Sequence, residues 1–179
     1  MKTIQLETER LILRQWKKED FNTFETLNAD PIVMEYFPSL LSAKESNTLA
    51  QKYQDSIECN AWGLWAVEEK SSGAFIGCLG LDTTSSDLPF TTCVEIGWRL
   101  LKEYWGKGYA TEAGKKVLHF AFEELKLDEV VSFTATINHR SESVMKRLGM
   151  KNKDANFEHS ALPVGHRLRE HSLYAIRKK

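Results

Sequence analysis

The chain has 179 residues, of which 42% are hydrophobic and 27% charged, the balance of a globular domain with enough length for one sizeable core. Its formal net charge of −1 gives no general attraction to nucleic acid or to an anionic membrane. Three cysteines (Cys59, Cys78, Cys93) are widely spaced without a Cys-x-x-Cys pair, and no apolar run nears the roughly 20 residues of a membrane span, which argues against a disulfide framework, a zinc site or a membrane anchor. Met1-Lys2-Thr3 leads into strand-like sequence with no signal-peptide core, so a cytoplasmic protein is expected.

In chain order, residues 10–16 read as a strand. Phe21, Phe24 and Leu27 make one helical face that stops near Asp30-Pro31. Ser42-Ala43-Lys44-Glu45 matches a capping box, followed by Leu49, Tyr53 and Ile57 at helical spacing. Residues 62–67 and 74–81 read as strands around a Lys70-Ser71-Ser72-Gly73 turn, and residues 82–89 as a loop. Residues 93–101 are strand-like again, and Ala110, Ala113, Val117, Ala121 and Leu125 recur at helical spacing. A strand over 130–137, a short helix ending at Gly149, and strands near 152–157 and 171–176 complete the chain, with no linker or repeat. One α/β domain over 1–179 is expected, with a mixed central sheet and helices on both faces.

The segment Trp105-Gly106-Lys107-Gly108-Tyr109-Ala110-Thr111 joins the 93–101 strand to the amphipathic helix. The first-turn N–H groups of such a helix have no intrahelical partner, and with the positive end of the dipole they make a seat for phosphate. Glycine there lets an anion approach the backbone without a Cβ in the way. A Walker loop does not fit, because Leu101 and Gly108 stand where Gly and Ser or Thr are needed. A dinucleotide fingerprint does not fit either, since Thr111 replaces the third glycine and Asp128 precedes the next strand. A tight turn with no ligand remains the alternative.

The segment resembles the pyrophosphate loop Gln/Arg-x-x-Gly-x-Gly/Ala of the GNAT acetyltransferases, with Trp105 in the Gln/Arg place. Its aromatic variant is similar to the RimJ/RimL-type, ribosomal-protein N-acetyltransferase branch. Asn138-x-x-Ser141-x-x-Val144 followed by Arg147-Leu148-Gly149-Met150 resembles a second family block, and residues 7–14 (ETERLILR) resemble the opening strand. The three keep the family's order across almost the whole chain. The resemblance implies the GNAT fold, acetyl-CoA as co-substrate without a metal, and a primary amine as acceptor. It places pyrophosphate on Gly106 to Thr111, the pantetheine arm along Trp98, Arg99 and Leu100, and a pantetheine amide at Asn138. It also implies that the strand parts from its neighbour, which Gly97 would permit, freeing an N–H for the thioester oxygen. The implied partners are acetyl-CoA and an amine, with the protein a monomer or a homodimer.

Glu95 is the candidate base, because period two puts it with Gly97 on one strand face and Ile96 with Trp98 on the other. A carboxylate on a solvated face is the plainer alternative. Many family members carry a tyrosine acid right after the position of Val144, where this chain has Met145, so Ser141 is the candidate donor to the leaving sulfur. Ser141 and Asn138 also suit a helix cap. The five histidines show no ligand spacing, and Trp62 and Trp65 suit core packing. At pH 7 an α-amine is about 14% neutral and a lysine about 0.04%, which favours a peptide N-terminus as acceptor over lysine, with a small-molecule amine or a non-catalytic acyl-CoA-binding role as alternatives.

Overall fold

The structure is a computed structural model that describes residues 4–84, 88 and 93–178. Strands β1 (Leu6–Glu7), β2 (Leu11–Arg14), β3 (Leu64–Glu69), β4 (Ala74–Thr83), β5 (Val94–Leu100), β6 (Glu129–Ala135), β7 (Lys151–Asn152), β8 (Phe157–Glu158) and β9 (Glu170–Arg177) form one sheet. Its order is β1-β2-β3-β4-β5-β6-β9-β7, with β8 also on β9. Every pairing is antiparallel except that of β5 with β6. The helices are α1 (Asp20–Ala29), α2 (Ala43–Asn60), α3 (Tyr109–Glu123) and α4 (His139–Arg147).

The expected mixed sheet with helices on both faces is observed, and aromatic residues define the two layers. Trp16 packs on Phe24, Tyr53 and Phe75 beneath α1 and α2, whereas Trp65 meets Phe120 of α3 at 5.7 Å on the opposite face. Trp65 is fully buried, so its place is the core and not the cleft described below. The capping box forms as its residues require: Ser42 Oγ accepts from the Glu45 N–H, and Glu45 Oε2 accepts from the Ser42 N–H at 2.8 Å. Helix α1 starts where the buried Arg14 guanidinium grips Asp20 through two hydrogen bonds of 2.7 and 2.9 Å. Ala113, Val117 and Ala121 of α3 are buried, as the spacing of the apolar residues requires.

Three boundaries depart from the sequence reading. Strand β6 stops at Ala135, because the Asn138 N–H turns back onto the Ala135 carbonyl at 2.8 Å and Asn138 caps α4. The single strand expected over 152–157 is two short pieces. Asp154 sits at φ 51 between them, and its N–H is held by Asn152 Oδ1 at 2.7 Å, an Asx turn that breaks the extended run. Strand β4 continues through Thr83, so Asp82 lies in the sheet and not in the expected loop, most of which falls outside the described residues.

Candidate active site

Strand β5 is fully paired on one side and barely paired on the other. It matches β4 through seven register pairs, from Gly77↔Leu100 to Thr83↔Val94, but meets β6 at Glu95↔Val131 alone. Beyond Glu95 the two parallel strands part, which leaves the β5 backbone edge from Ile96 onward without a strand partner on that side. A cleft of about 1350 Å³ opens there, larger than the ~300–1,000 Å³ of most small-ligand sites, so it has room for two ligands at once. Gly97 lines it, and a Cβ built on Gly97 would meet no atom within 4 Å.

One end of the cleft is the start of α3. Gly106 and Gly108 sit at φ 74 and 82, conformations that strain any other residue, and Gly108 is the N-cap with no side chain serving it. The helical ladder begins only with the Glu112 N–H on the Gly108 carbonyl at 2.9 Å, so the preceding N–H groups are free for an anion. Gly106, Gly108, Tyr109, Ala110 and Thr111 line the cleft. Lys107 does not; its exposed side chain lies over the Tyr104 ring at 4.9 Å, leaving its backbone as the part of it in the loop. Trp105 Nε1 donates to the Leu100 carbonyl at 2.8 Å, tying the loop to the end of β5. The opening block secures the loop from beneath. Glu112 accepts from Thr8 Oγ1 at 2.6 Å, from the Arg10 N–H at 2.9 Å and from Arg10 Nε at 2.7 Å.

The other end is acidic. Glu95 and Asp82 are directly opposed on β5 and β4, an arrangement of like charges that costs a sheet stability. The Glu95 side chain is half-buried and lines the cleft, and loss of hydration, with repulsion from Asp82 second, pushes its pKa up to about 8. A group poised there can take and return a proton near neutral pH. Its strand neighbours alternate as expected, with Ile96 fully buried on the far face.

Between the two ends stands the start of α4. Asn138 is the cap: its Oδ1 accepts from the Ser141 N–H at 3.2 Å. Its amide nitrogen donates to Thr134 Oγ1 at 2.9 Å and to Ser141 Oγ at 3.1 Å, which uses both of its protons within the protein. Ser141 is therefore not the cap. Its hydroxyl accepts one bond from Asn138, keeps its own proton to give, and lines the cleft. Met145 is 1% exposed, packed in the core with only an edge on the cleft.

Known proteins match this chain in sequence and in fold. The family model described as an acetyltransferase (GNAT) domain matches residues 10–151. The chain belongs to the GNAT acetyltransferase family. Among curated proteins it is 30% identical to the uncharacterized protein YkkB of Bacillus subtilis (strain 168), over 81% of this chain and 84% of that protein. Among solved structures the GNAT-family acetyltransferase from Bacillus anthracis has the same fold, with TM-score 0.81 and 23% identity over 97% of this chain and 98% of that one. The spermidine N-acetyltransferase of Vibrio cholerae, solved in complex with CoA and spermine, matches with TM-score 0.72 and 21% identity over 94% and 95% of the two chains.

As a GNAT acetyltransferase, the protein is an acetyl-CoA-dependent enzyme. The free N–H groups at α3 and the parted strands fit a co-substrate with a pyrophosphate and a long amide-bearing arm. The residues singled out in sequence gather on one cleft: Glu95, Trp98, Arg99, Leu100, Trp105, the loop glycines, Asn138 and Ser141 all line it. The Arg99 backbone lies in β5, where the arm is expected to run, and its side chain, on the face of Glu95, turns toward Asn28 and Phe37. Two histidines distant in sequence meet in the fold. His159 and His171 come together at 5.1 Å beside Phe133 and Phe157, and both line the cleft. The fold-back of β8 on β9 makes that contact, and no sequence spacing announces it. Sequence reading also missed Asp82, and the segment after α1, where Arg140 joins Glu35 and lies over Trp105 at 4.6 Å. Among the described residues no group of three or more His, Cys, Asp or Glu is placed to hold a metal, and no helix is long and apolar enough to cross a membrane.

Proposed function

We propose that this enzyme acetylates an α-amino group, in the manner of the RimJ/RimL-type branch its loop resembles, with Glu95 as the base and Ser141 as the proton donor to the leaving sulfur. The observation that carries the reading is the Glu95 carboxyl at the strand parting, with its pKa pushed up to about 8. That value lies close to the ~7.8 of an α-ammonium and more than two units below a lysine's ~10.4, so a proton passes from the former to Glu95 with little driving cost. Acetyl-CoA supplies the activated acyl carbon. On this reading the α3 N–H groups hold pyrophosphate, and the free edge of β5 pairs with the amide-bearing arm as an added strand would. A β5 N–H aimed at the thioester oxygen stabilises the negative charge that develops there. Glu95 takes a proton from the α-ammonium, directly or through a water, so that the neutral amine attacks. As the C–S bond breaks, the Ser141 hydroxyl gives its proton to the departing thiolate and is reprotonated by the second proton, which the acylated nitrogen sheds.

A polyamine acceptor is the second reading, favoured by the paired carboxyls of Asp82 and Glu95, which attract a cation, and by the fold shared with the spermidine enzyme. Thiol release measured with peptides bearing a free α-amine, the same peptides N-terminally blocked with one internal lysine, and spermidine separates the two. Turnover of the free α-amines at least tenfold above the others is expected. Turnover confined to spermidine or to lysine would overturn the α-amine reading, and no turnover with any amine would overturn both.

A further inference from the structure

Arg99 is a cation in the acceptor half of the cleft with no anion to meet it. It shares a face of β5 with Glu95 four residues away, roughly 13 Å along the strand, with Gly97 between. Its guanidinium lies over the Phe37 ring at 4.0 Å, and its Nη1 donates to Asn28 Oδ1. Asn28 is fully buried, and its amide nitrogen donates to Ser46 Oγ at 2.9 Å, which fixes its oxygen toward Arg99. The guanidinium is thus held in place by a neutral amide and an aromatic face. Among the described residues no carboxylate comes within ion-pair distance of it, and its Nη2 makes no hydrogen bond. The nearest titratable neighbours supply no charge either. Cys78, directly across on β4, is buried with its thiol pushed up to about 11, and burial also raises Tyr53 above the ordinary phenol. Arg99 Nε is buried without a partner. Holding a guanidinium half-buried and unpaired is costly, and the cost is recovered when a carboxylate binds its open edge.

We propose that Arg99, held by Asn28 and Phe37, is a carboxylate-binding subsite, so that the acceptor is an amine that also carries a carboxylate. The ammonium end of such a molecule is drawn to Asp82 and Glu95 while its anionic end pairs with Arg99, and a polyamine is repelled from the Arg99 end. The inference rests on the reading of the cleft as an amine-acetylating site and names its substrate class. The carboxylate has two sources, the side chain of a free acidic amino acid or an acidic residue near a peptide N-terminus.

The test compares kcat/KM for matched pairs: free Asp and Glu against Asn and Gln, and short peptides with Asp or Glu after the first residue against the same peptides with Asn or Gln. A charge-assisted bond to Arg99 should favour the acid member by about 10- to 150-fold. Preference among the amino acids points to the small-molecule source, and preference among the peptides to protein N-termini. Arg99→Gln should remove the preference. Asn28→Asp, which keeps the size of the buried side chain and gives Arg99 an internal carboxylate, should remove it too and guards against a folding defect in the first variant. Equal rates for acids and amides, or a preference that survives both substitutions, would overturn the subsite while leaving amine acetylation intact. Should no amine be acetylated, the proposed function fails, and calorimetric titration of the same pairs into the enzyme with CoA decides the subsite: equal affinities overturn it, and tighter binding of the acids, lost in Asn28→Asp, supports it.

Discussion

Glu95 keeps a proton in the folded protein that the unfolded chain gives up. Its folded pKa of about 8 stands above the 4.5 of an ordinary glutamate, so its contribution to stability is full below about 4.5 and is lost as pH rises through 8. Glutamine at this place cannot ionise. Glu95→Gln should therefore change thermal stability little near pH 5 and raise it relative to wild type at pH 9, by on the order of 3 kcal/mol once about 1.36 kcal/mol per pKa unit is discounted for water reaching the cleft. Unfolding followed at both pH values checks it, and a pH-independent difference would mean Glu95 is ionised throughout. Ser141 poses a different question, because Asn138 rather than Ser141 caps α4. Ser141→Ala should cost less stability than the ~0.5–2 kcal/mol of a lost cap. It should lower the single-turnover rate by more than it weakens CoA binding, if the hydroxyl serves the leaving sulfur. Full single-turnover rate in this variant would point to water as the proton source.

Among the elements, the turn from β5 into α3 is the one to which the proposed function gives the pyrophosphate of the co-substrate. Gly108 stands at φ 82, where a Cβ costs about 1–2 kcal/mol, yet that Cβ would meet only Arg10 Nη2 at 3.6 Å, an ordinary contact. Gly108→Ala should thus fold with a modest loss of stability. Its CoA affinity, measured by calorimetry well below the unfolding temperature, should fall by tenfold or more if these N–H groups hold phosphate as proposed, because the methyl group and the strained turn disturb them. Undiminished affinity would show the segment to be a turn and nothing more. The partial pairing of β5 with β6 is the second such device. It costs the sheet several ladder hydrogen bonds and opens the backbone that an acyl carrier needs.

Over the whole molecule, what the sequence made legible was local. Helix α2 could be read from Ser42 and Glu45, α3 from its apolar spacing, and the glycine turn before α3 from Gly106 and Gly108, since each signal lies within a few residues. The alternation of Glu95 and Ile96 likewise needs only the period of a strand. What stayed hidden depends on register and fold-back. Asp82 gains its meaning from standing opposite Glu95, Arg99 from Asn28 71 residues away, and the His159–His171 contact from β8 folding onto β9. Asp154 splits the expected strand through a left-handed backbone that its residue type alone does not announce.

In the proposed mechanism an acid pair at the strand parting sets the proton-taking step. The most direct measurement is the single-turnover rate with an α-amine peptide across pH 5.5–9.5, in wild type, Glu95→Gln and Asp82→Asn. Wild type should rise along a limb centred near 8, the Glu95 pKa in the folded protein. Glu95→Gln should flatten the limb and lower the plateau by roughly 10²–10⁴-fold. Asp82→Asn removes the facing charge that helps raise Glu95, so its limb should move to lower pH while its plateau persists. A limb that stays in place and at full height in both variants would contradict the account, because the ionisation governing the rate would then belong to neither carboxyl.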